Sequence, residues 1–205
     1  MTQHSAKFIT FEGIDGSGKS TQARMLLDHI CAKGETAMLT REPGGSDGGE
    51  LIRDLVLNGA TDRWSAETEL LLFTAARRDH LEKRITPALN AGTTVICDRF
   101  ADSTRVYQGA TRGDLRPKVD ALHDLMIGRD PDVTFIIDVD PAVSLSRGLA
   151  RAGAEQRFES FGLEFQHTLR AGFLALAGDF PARCHVIDGA GTPEQVFARI
   201  LAAMP

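Results

Sequence analysis

The chain has 205 residues, 42% of them hydrophobic and 25% charged, a composition that suits one globular domain and excludes disordered, collagen-like and disulfide-scaffold chains. Its 28 acidic residues outnumber its 23 lysines and arginines, a formal charge of −5, so no overall positive field draws it to nucleic acid or an anionic membrane. Cys31, Cys97 and Cys184 are widely spaced without a Cys-x-x-Cys pair, which supports neither a disulfide framework nor a zinc ribbon and reads as reduced thiols.

Met1 to Lys7 holds no apolar run and no stretch approaches 18 apolar residues; neither a signal peptide nor a membrane span is expected, and the expected location is the cytoplasm. A strand is predicted over Lys7 to Glu12, then a glycine-rich turn, then a helix over Lys19 to Lys33. A second strand, Thr36 to Thr40, leads into the Gly44 to Gly49 loop, whose glycines read as a loop facing a ligand. Helical patterns follow at Gly48 to Asn58 and Ala66 to Asn90, a strand at Thr93 to Cys97, and a helix at Leu115 to Gly128. The remainder reads as a strand at Val133 to Asp138, helices at Ala142 to Ala150 and Phe158 to Leu176 joined by a loop, a strand at Cys184 to Ile187 and a helix at Pro193 to Ala203. Short β-branched runs alternating with longer helical patterns are the signature of an α/β fold. The expected architecture is one five-stranded parallel sheet with helices on both faces, in a single domain.

The turn after the first strand, Gly13-Ile14-Asp15-Gly16-Ser17-Gly18-Lys19-Ser20, matches the P-loop pattern, with a strand before it and a helix after it as that motif requires. Glycines let consecutive backbone N–H groups curl around phosphate oxygens, and the helix N-terminus adds its dipole. Lys19 is expected to reach the β- and γ-phosphates of ATP and Ser20 to ligate Mg²⁺. A P-loop alone leaves kinases, GTPases and switch ATPases open. No Asn-Lys-x-Asp motif is present, which weighs against a GTPase. Two hydrophobic runs end in aspartate, at Asp98 and Asp138; Asp98 is the favoured metal-side carboxylate because Arg99 follows it where phosphates would converge. The six histidines show no metal-ligand spacing.

Gly13 to Thr21, Thr40-Arg41-Glu42-Pro43-Gly44-Gly45, Leu71-Leu72-Phe73-Thr74-Ala75-Ala76-Arg77, and Asp98-Arg99-Phe100 with Ser103 and Tyr107-Gln108-Gly109 resemble, in order and spacing, the thymidylate kinase family. The resemblance implies Mg²⁺-dependent transfer of the γ-phosphoryl group of ATP to dTMP, on a five-stranded P-loop kinase core, by a homodimer. It also implies site residues: Asp15 at the sugar hydroxyl or the metal, Phe73 stacked on the base with Arg77 at the base edge, Arg99 on the acceptor phosphate with Arg41 and Glu42-Pro43 shaping that end. Ser103, Thr104 and Gln108 would line the base pocket, and Tyr107 would face the sugar's 2′ position. Phe73 and Arg77 are four apart on a helical pattern, so both project from one face. A lid at about residues 147–159 is implied to carry the catalytic arginines, with Arg151 and Arg157 as the two alternatives for the main γ-phosphate contact, because the P-loop has Gly16 where some members place an arginine. Another nucleoside monophosphate kinase is the alternative reading, and a nucleotide-driven switch is the alternative from a different class.

Overall fold

The computed structural model describes residues 6–59, 63–109, 115–149 and 162–205. Its strands are β1 (Phe8–Glu12), β2 (Ala37–Arg41), β3 (Thr94–Asp98), β4 (Val133–Asp138) and β5 (Cys184–Asp188). They form one parallel sheet in the order β2-β3-β1-β4-β5. The helices are α1 (Lys19–Ala32), α2 (Asp47–Leu57), α3 (Ala66–His80), α4 (Thr86–Asn90), α5 (Ala101–Tyr107), α6 (Arg116–Met126), α7 (Pro141–Leu149), α8 (Gly162–Asp179) and α9 (Pro193–Ala202).

Strand alternation sorts the core into two layers. Ile9 and Phe11 of β1 and Phe135 and Ile137 of β4 pack with Leu26 of α1 and Ile200 of α9 on one face. Phe8, Val95 and Cys97 meet Phe100, Leu81 and Ile85 on the other, and Ile136 meets Val106, Leu169 and Phe173 there. Glu12 shares the face of Phe8 and Thr10, which turns a carboxylate toward α5. Helix starts follow local chemistry: the Ser46 and Ser65 side chains cap α2 and α3 by accepting from Gly49 and Thr68 N–H, and Thr192 with Gln195 forms a capping box on α9.

All five strands lie within one residue of the expected bounds. The helix expected over Ala66 to Asn90 is interrupted by a π-helical turn at Leu81–Ile85. Pro87 supplies the reason: it has no N–H to continue the ladder, and it starts α4 instead. Helix α5 was not expected, because seven residues without apolar periodicity carry no helical signature. The start expected for α8, Phe158, falls outside the described residues.

The sheet order carries the chain to one side from β1 to β2 and β3, and to the other side at β4 and β5. The C-terminal ends of β1 and β3 therefore flank the crevice where open parallel sheets bind ligands. Phe135 lies at the centre of the core with no exposure, its ring 5.5 Å from that of Phe11. Phe135→Ala is expected to lower unfolding free energy by about 3–5 kcal/mol in equilibrium denaturation; a loss under about 1 kcal/mol would contradict this packing.

Candidate active site

The P-loop leaves β1 at Gly13. Gly13, Gly16 and Gly18 have φ of 132°, 80° and 99°, a region that side chains disfavour. Space makes a second demand at two of them. A Cβ at Gly13 would lie 2.6 Å from the Ile137 carbonyl oxygen, and one at Gly16 would lie 2.3 Å from that of Ser144. The loop is thus seated between β4 and α7, and the Ser144 hydroxyl hydrogen-bonds the Asp15 carbonyl. No side chain caps α1, so its first turn offers its N–H groups to an anion.

Lys19 is buried and folds back over the loop, its Nζ donating to the Ile14 carbonyl at 2.7 Å. Burial, then the neighbouring charge of Arg99, lowers its pKa to about 8. The Ser20 hydroxyl donates to Asp98 at the end of β3. One hydroxyl and one carboxylate at the phosphate end of a P-loop fit Mg²⁺, which takes few protein oxygens and keeps phosphate and water ligands. Among the described residues, no cluster of three or more His, Cys, Asp or Glu side chains provides another metal cage.

On the other side of the loop, Arg99 follows β3 with φ of 70°, a left-handed conformation that a non-glycine residue holds only when its surroundings fix it. Its backbone N–H bonds the Phe11 carbonyl at 2.9 Å, tying it to β1. Its guanidinium donates to Asp15 Oδ1 at 2.5 Å, Ser103 Oγ at 2.9 Å, the Gly13 carbonyl at 3.1 Å and Tyr107 Oη at 3.2 Å. The Tyr107 hydroxyl donates in turn to Asp15 Oδ2 at 3.0 Å. Burial alone would raise the Asp15 pKa, but Arg99 and Lys19 hold it below the usual carboxylate range. Burial pushes the Tyr107 phenol up, so it remains a hydrogen-bond donor.

These groups open into one cavity. Asp15, Pro43, Phe73, Arg77, Arg99, Ser103, Thr104, Tyr107 and Gln108 all line it, joined by Glu42, Arg53, Leu57 and Phe100. Arg77 is a fixed donor: its Nε bonds Glu42 Oε2 at 2.7 Å, and one Nη bonds Thr104 Oγ1 at 2.9 Å and the Phe100 carbonyl at 3.1 Å. Glu42 Oε1 in turn lies 2.9 Å from His80 Nδ1.

Arg41 is the exception among the residues expected at the acceptor end. It pairs with Glu50 at 3.0 Å and lines a separate depression with Thr40, Ser46 and Lys83. Neighbouring residues at a strand end point to opposite sides, and here Glu42 takes the inward one.

A second hollow lies on the far side of the P-loop, lined by Gly16, Ser17, Gly18, Thr21 and Gln22 against Gly189, Gly191 and Pro193. Arg199 holds the loop after β5 by donating to the carbonyls of Asp188 at 2.7 Å and Ala190 at 2.6 Å, and Gln22 Nε2 donates to Pro193 at 3.0 Å. Arg151 and Arg157 fall outside the described residues.

Motif and spacing leave several residues at or beside the site unmarked. Arg53, whose guanidinium donates to the Pro43 carbonyl at 2.5 Å, sits in a helix without a motif. Glu12 is the last residue of a hydrophobic strand and carries no motif of its own. The Gly189 and Gly191 loop had a readable signal, two glycines directly after a strand. Two hollows that meet across a P-loop, each with donors at the shared end, can hold two phosphorylated ligands with their phosphates converging.

Comparison with known proteins agrees over nearly the whole chain. The family model described as thymidylate kinase matches residues 11–200. The thymidylate kinase of Dinoroseobacter shibae is 65% identical over 202 residues, covering 98% of this chain and 97% of that relative. That of Ruegeria pomeroyi is 63% identical, covering 94% and 92%. The crystal structure of thymidylate kinase from Ehrlichia chaffeensis superposes with a TM-score of 0.80 at 37% identity, covering 98% of this chain and 100% of that one.

Lys19 gives a direct test of the cradle. With a pKa of about 8 in the free protein, it is half charged at that pH, and triphosphate binding should raise its pKa and draw in a proton. Calorimetric titration with ATP at pH 8 in two buffers of different ionisation enthalpy should show net proton uptake that vanishes in Lys19→Met. Equal apparent enthalpies in both buffers would contradict this.

Proposed function

The chain belongs to the thymidylate kinase family and is a nucleoside monophosphate kinase, and from that premise we propose that the cavity beside Arg99 seats dTMP and the hollow beside Gly189 seats ATP. The γ-phosphoryl group passes to the dTMP phosphate across the Asp15 and Arg99 junction, giving dTDP and ADP for dTTP synthesis. The observation that carries this reading is the convergence of Asp15, Phe73, Arg77, Arg99, Tyr107 and Gln108 on one cavity at the edge of the P-loop.

On this reading the thymine ring stacks against Phe73, and Arg77, fixed by Glu42 and Thr104, addresses the base edge. Tyr107, held against Asp15, crowds the 2′ side of the sugar and disfavours a ribonucleotide. Arg99 exchanges Asp15 for the acceptor phosphate, and Asp15 then accepts from the sugar hydroxyl. A planar guanidinium suits a phosphate dianion, and its charge lets two anionic substrates approach. Arg53 lies at the same end. Lys19 moves from the Ile14 carbonyl to the β- and γ-phosphates, and the P-loop N–H groups follow the same oxygens. Mg²⁺, held by Ser20, Asp98 and the phosphates, supplies further charge neutralisation when bound. The acceptor is already an anion, so the reaction needs positioning and electrostatic stabilisation rather than a general base. We assign residues 147–159 of this single domain to a lid whose Arg151 and Arg157 address the transferring phosphoryl group; Ser144 on α7 ties the approach to that segment to the P-loop.

A homodimer is the reading the family resemblance implies, and Leu51 on α2, Leu71 on α3 and Leu125 on α6, which are 71%, 58% and 78% exposed, would gain from burial against a second copy. A cytoplasmic location fits a chain in which, among the described residues, no helix is long and apolar enough to cross a membrane.

The test is ADP release from ATP and Mg²⁺ with dTMP, dUMP, UMP, dCMP, AMP or GMP, or no acceptor. Turnover is expected with dTMP and only at background without an acceptor. Arg99→Ala should lower kcat/KM for dTMP by about 10²-fold or more while ATP affinity stays within about twofold. Full turnover without an acceptor would favour a nucleotide-driven switch.

A further inference from the structure

Glu12 closes β1 with no exposure to solvent, and the transfer described above makes no use of it. Its Oε1 accepts from the backbone N–H groups of Phe100 at 2.7 Å and Ser103 at 3.3 Å, and its Oε2 accepts from Ser103 Oγ at 2.6 Å. Helix α5 has no side-chain cap from its own sequence. Glu12 supplies from a neighbouring strand the acceptor that a capping residue would offer.

Ser103 extends the chain of bonds to the cavity. Its hydroxyl accepts from Arg99 Nη1 at 2.9 Å. A hydroxyl has one hydrogen, so with Arg99 donating inward Ser103 donates outward, and the Glu12 carboxylate is the terminal acceptor. The same carboxylate, through Phe100 N–H, fixes the backbone on the C-terminal side of Arg99, whose left-handed φ needs such support.

We propose that Glu12 is a positioning residue: through the Ser103 hydroxyl and the first N–H groups of α5, it aims the Arg99 guanidinium at the acceptor phosphate without touching either nucleotide. The inference rests on the assignment of Arg99 to that phosphate.

The direction of the bonds depends on the protonation of Glu12. A protonated Oε2 donates to Ser103 Oγ and leaves the serine hydrogen without its acceptor. Charged or titratable groups facing Glu12 are Arg99 in the turn, Asp102 and Tyr107 on α5, Lys19 on α1, Cys97 on β3 and Cys184 on β5. Burial first, then the charge of Asp102, pushes its pKa up to about 7. The aiming form therefore prevails above about pH 7 and declines below it.

Glu12→Gln tests this with a side chain of the same size. Glutamine keeps an acceptor for the two backbone N–H groups but presents an NH₂ to Ser103 Oγ, imitating the protonated form. At pH 8 the KM for dTMP should rise about tenfold while the KM for ATP changes less than twofold. The variant to wild-type ratio of dTMP KM should fall toward one as the pH is lowered from 8 to 6; ionisation of the dTMP phosphate itself cancels in that ratio. A ratio of one at pH 8, or equal losses for both nucleotides, would overturn the proposal. Arg99→Ala in the same assay separates the two readings. If it leaves the dTMP KM unchanged, the assignment of Arg99 fails; if it raises that KM and Glu12→Gln does not, the role of Glu12 alone fails. Ser103→Ala cuts the chain in the middle and stands in should Glu12→Gln not fold: the same acceptor-selective rise is expected, and an unchanged dTMP KM would overturn the role.

Discussion

The ion pair between Arg99 and Asp15 joins two parts of the chain that sequence separates and the sheet brings together. Asp15 belongs to the P-loop, and Arg99 belongs to the turn after β3, which faces the cavity lined by Phe73 and Arg77. Parallel pairing of β1 with β3 places Phe11 beside Asp98, so the two loops leave the sheet side by side. Two substrates of like charge must meet end to end for phosphoryl transfer. A guanidinium held at the seam and paired with a carboxylate keeps a charge in place without leaving it unpartnered.

The rest of the site follows from fixing that seam. The glycines of the P-loop let β4 and α7 approach its backbone, so the loop is braced from behind. Glu12 and Ser103 brace the Arg99 turn from within the sheet, and Tyr107, one helix away, completes the triangle with Asp15. Glu42 links Arg77 to His80, and His80 Nε2 lies 2.7 Å from Thr40 Oγ1 on β2, so the base end is fixed from the other edge of the sheet. Arg99, Tyr107 and Arg77 thus each have a second group behind them, the arrangement that electrostatic preorganisation requires.

Local chemistry made much of this readable in the sequence. Strands announced themselves as short β-branched runs ending at glycine or a charged residue, and the P-loop is a contiguous motif whose strand and helix flank it. Phe73 and Arg77 lie one helical turn apart and reach the cavity together, as their spacing implies. What stayed hidden depends on tertiary contacts. Helix α5 is too short to show a period, and its cap comes from Glu12 on another strand. Arg53 and Leu57 reach the cavity only because α2 packs over Pro43. Arg41 and Glu42 are adjacent in sequence, and only the geometry at the end of β2 decides which one turns inward.

A crystal structure of the protein with dTMP shows directly whether Arg99 leaves Asp15 for the acceptor phosphate. The Arg99 guanidinium is expected within hydrogen-bond distance of the phosphate oxygens, with Ser103 Oγ still between Arg99 and Glu12. A structure in which Arg99 stays on Asp15 while other side chains hold the phosphate would contradict it.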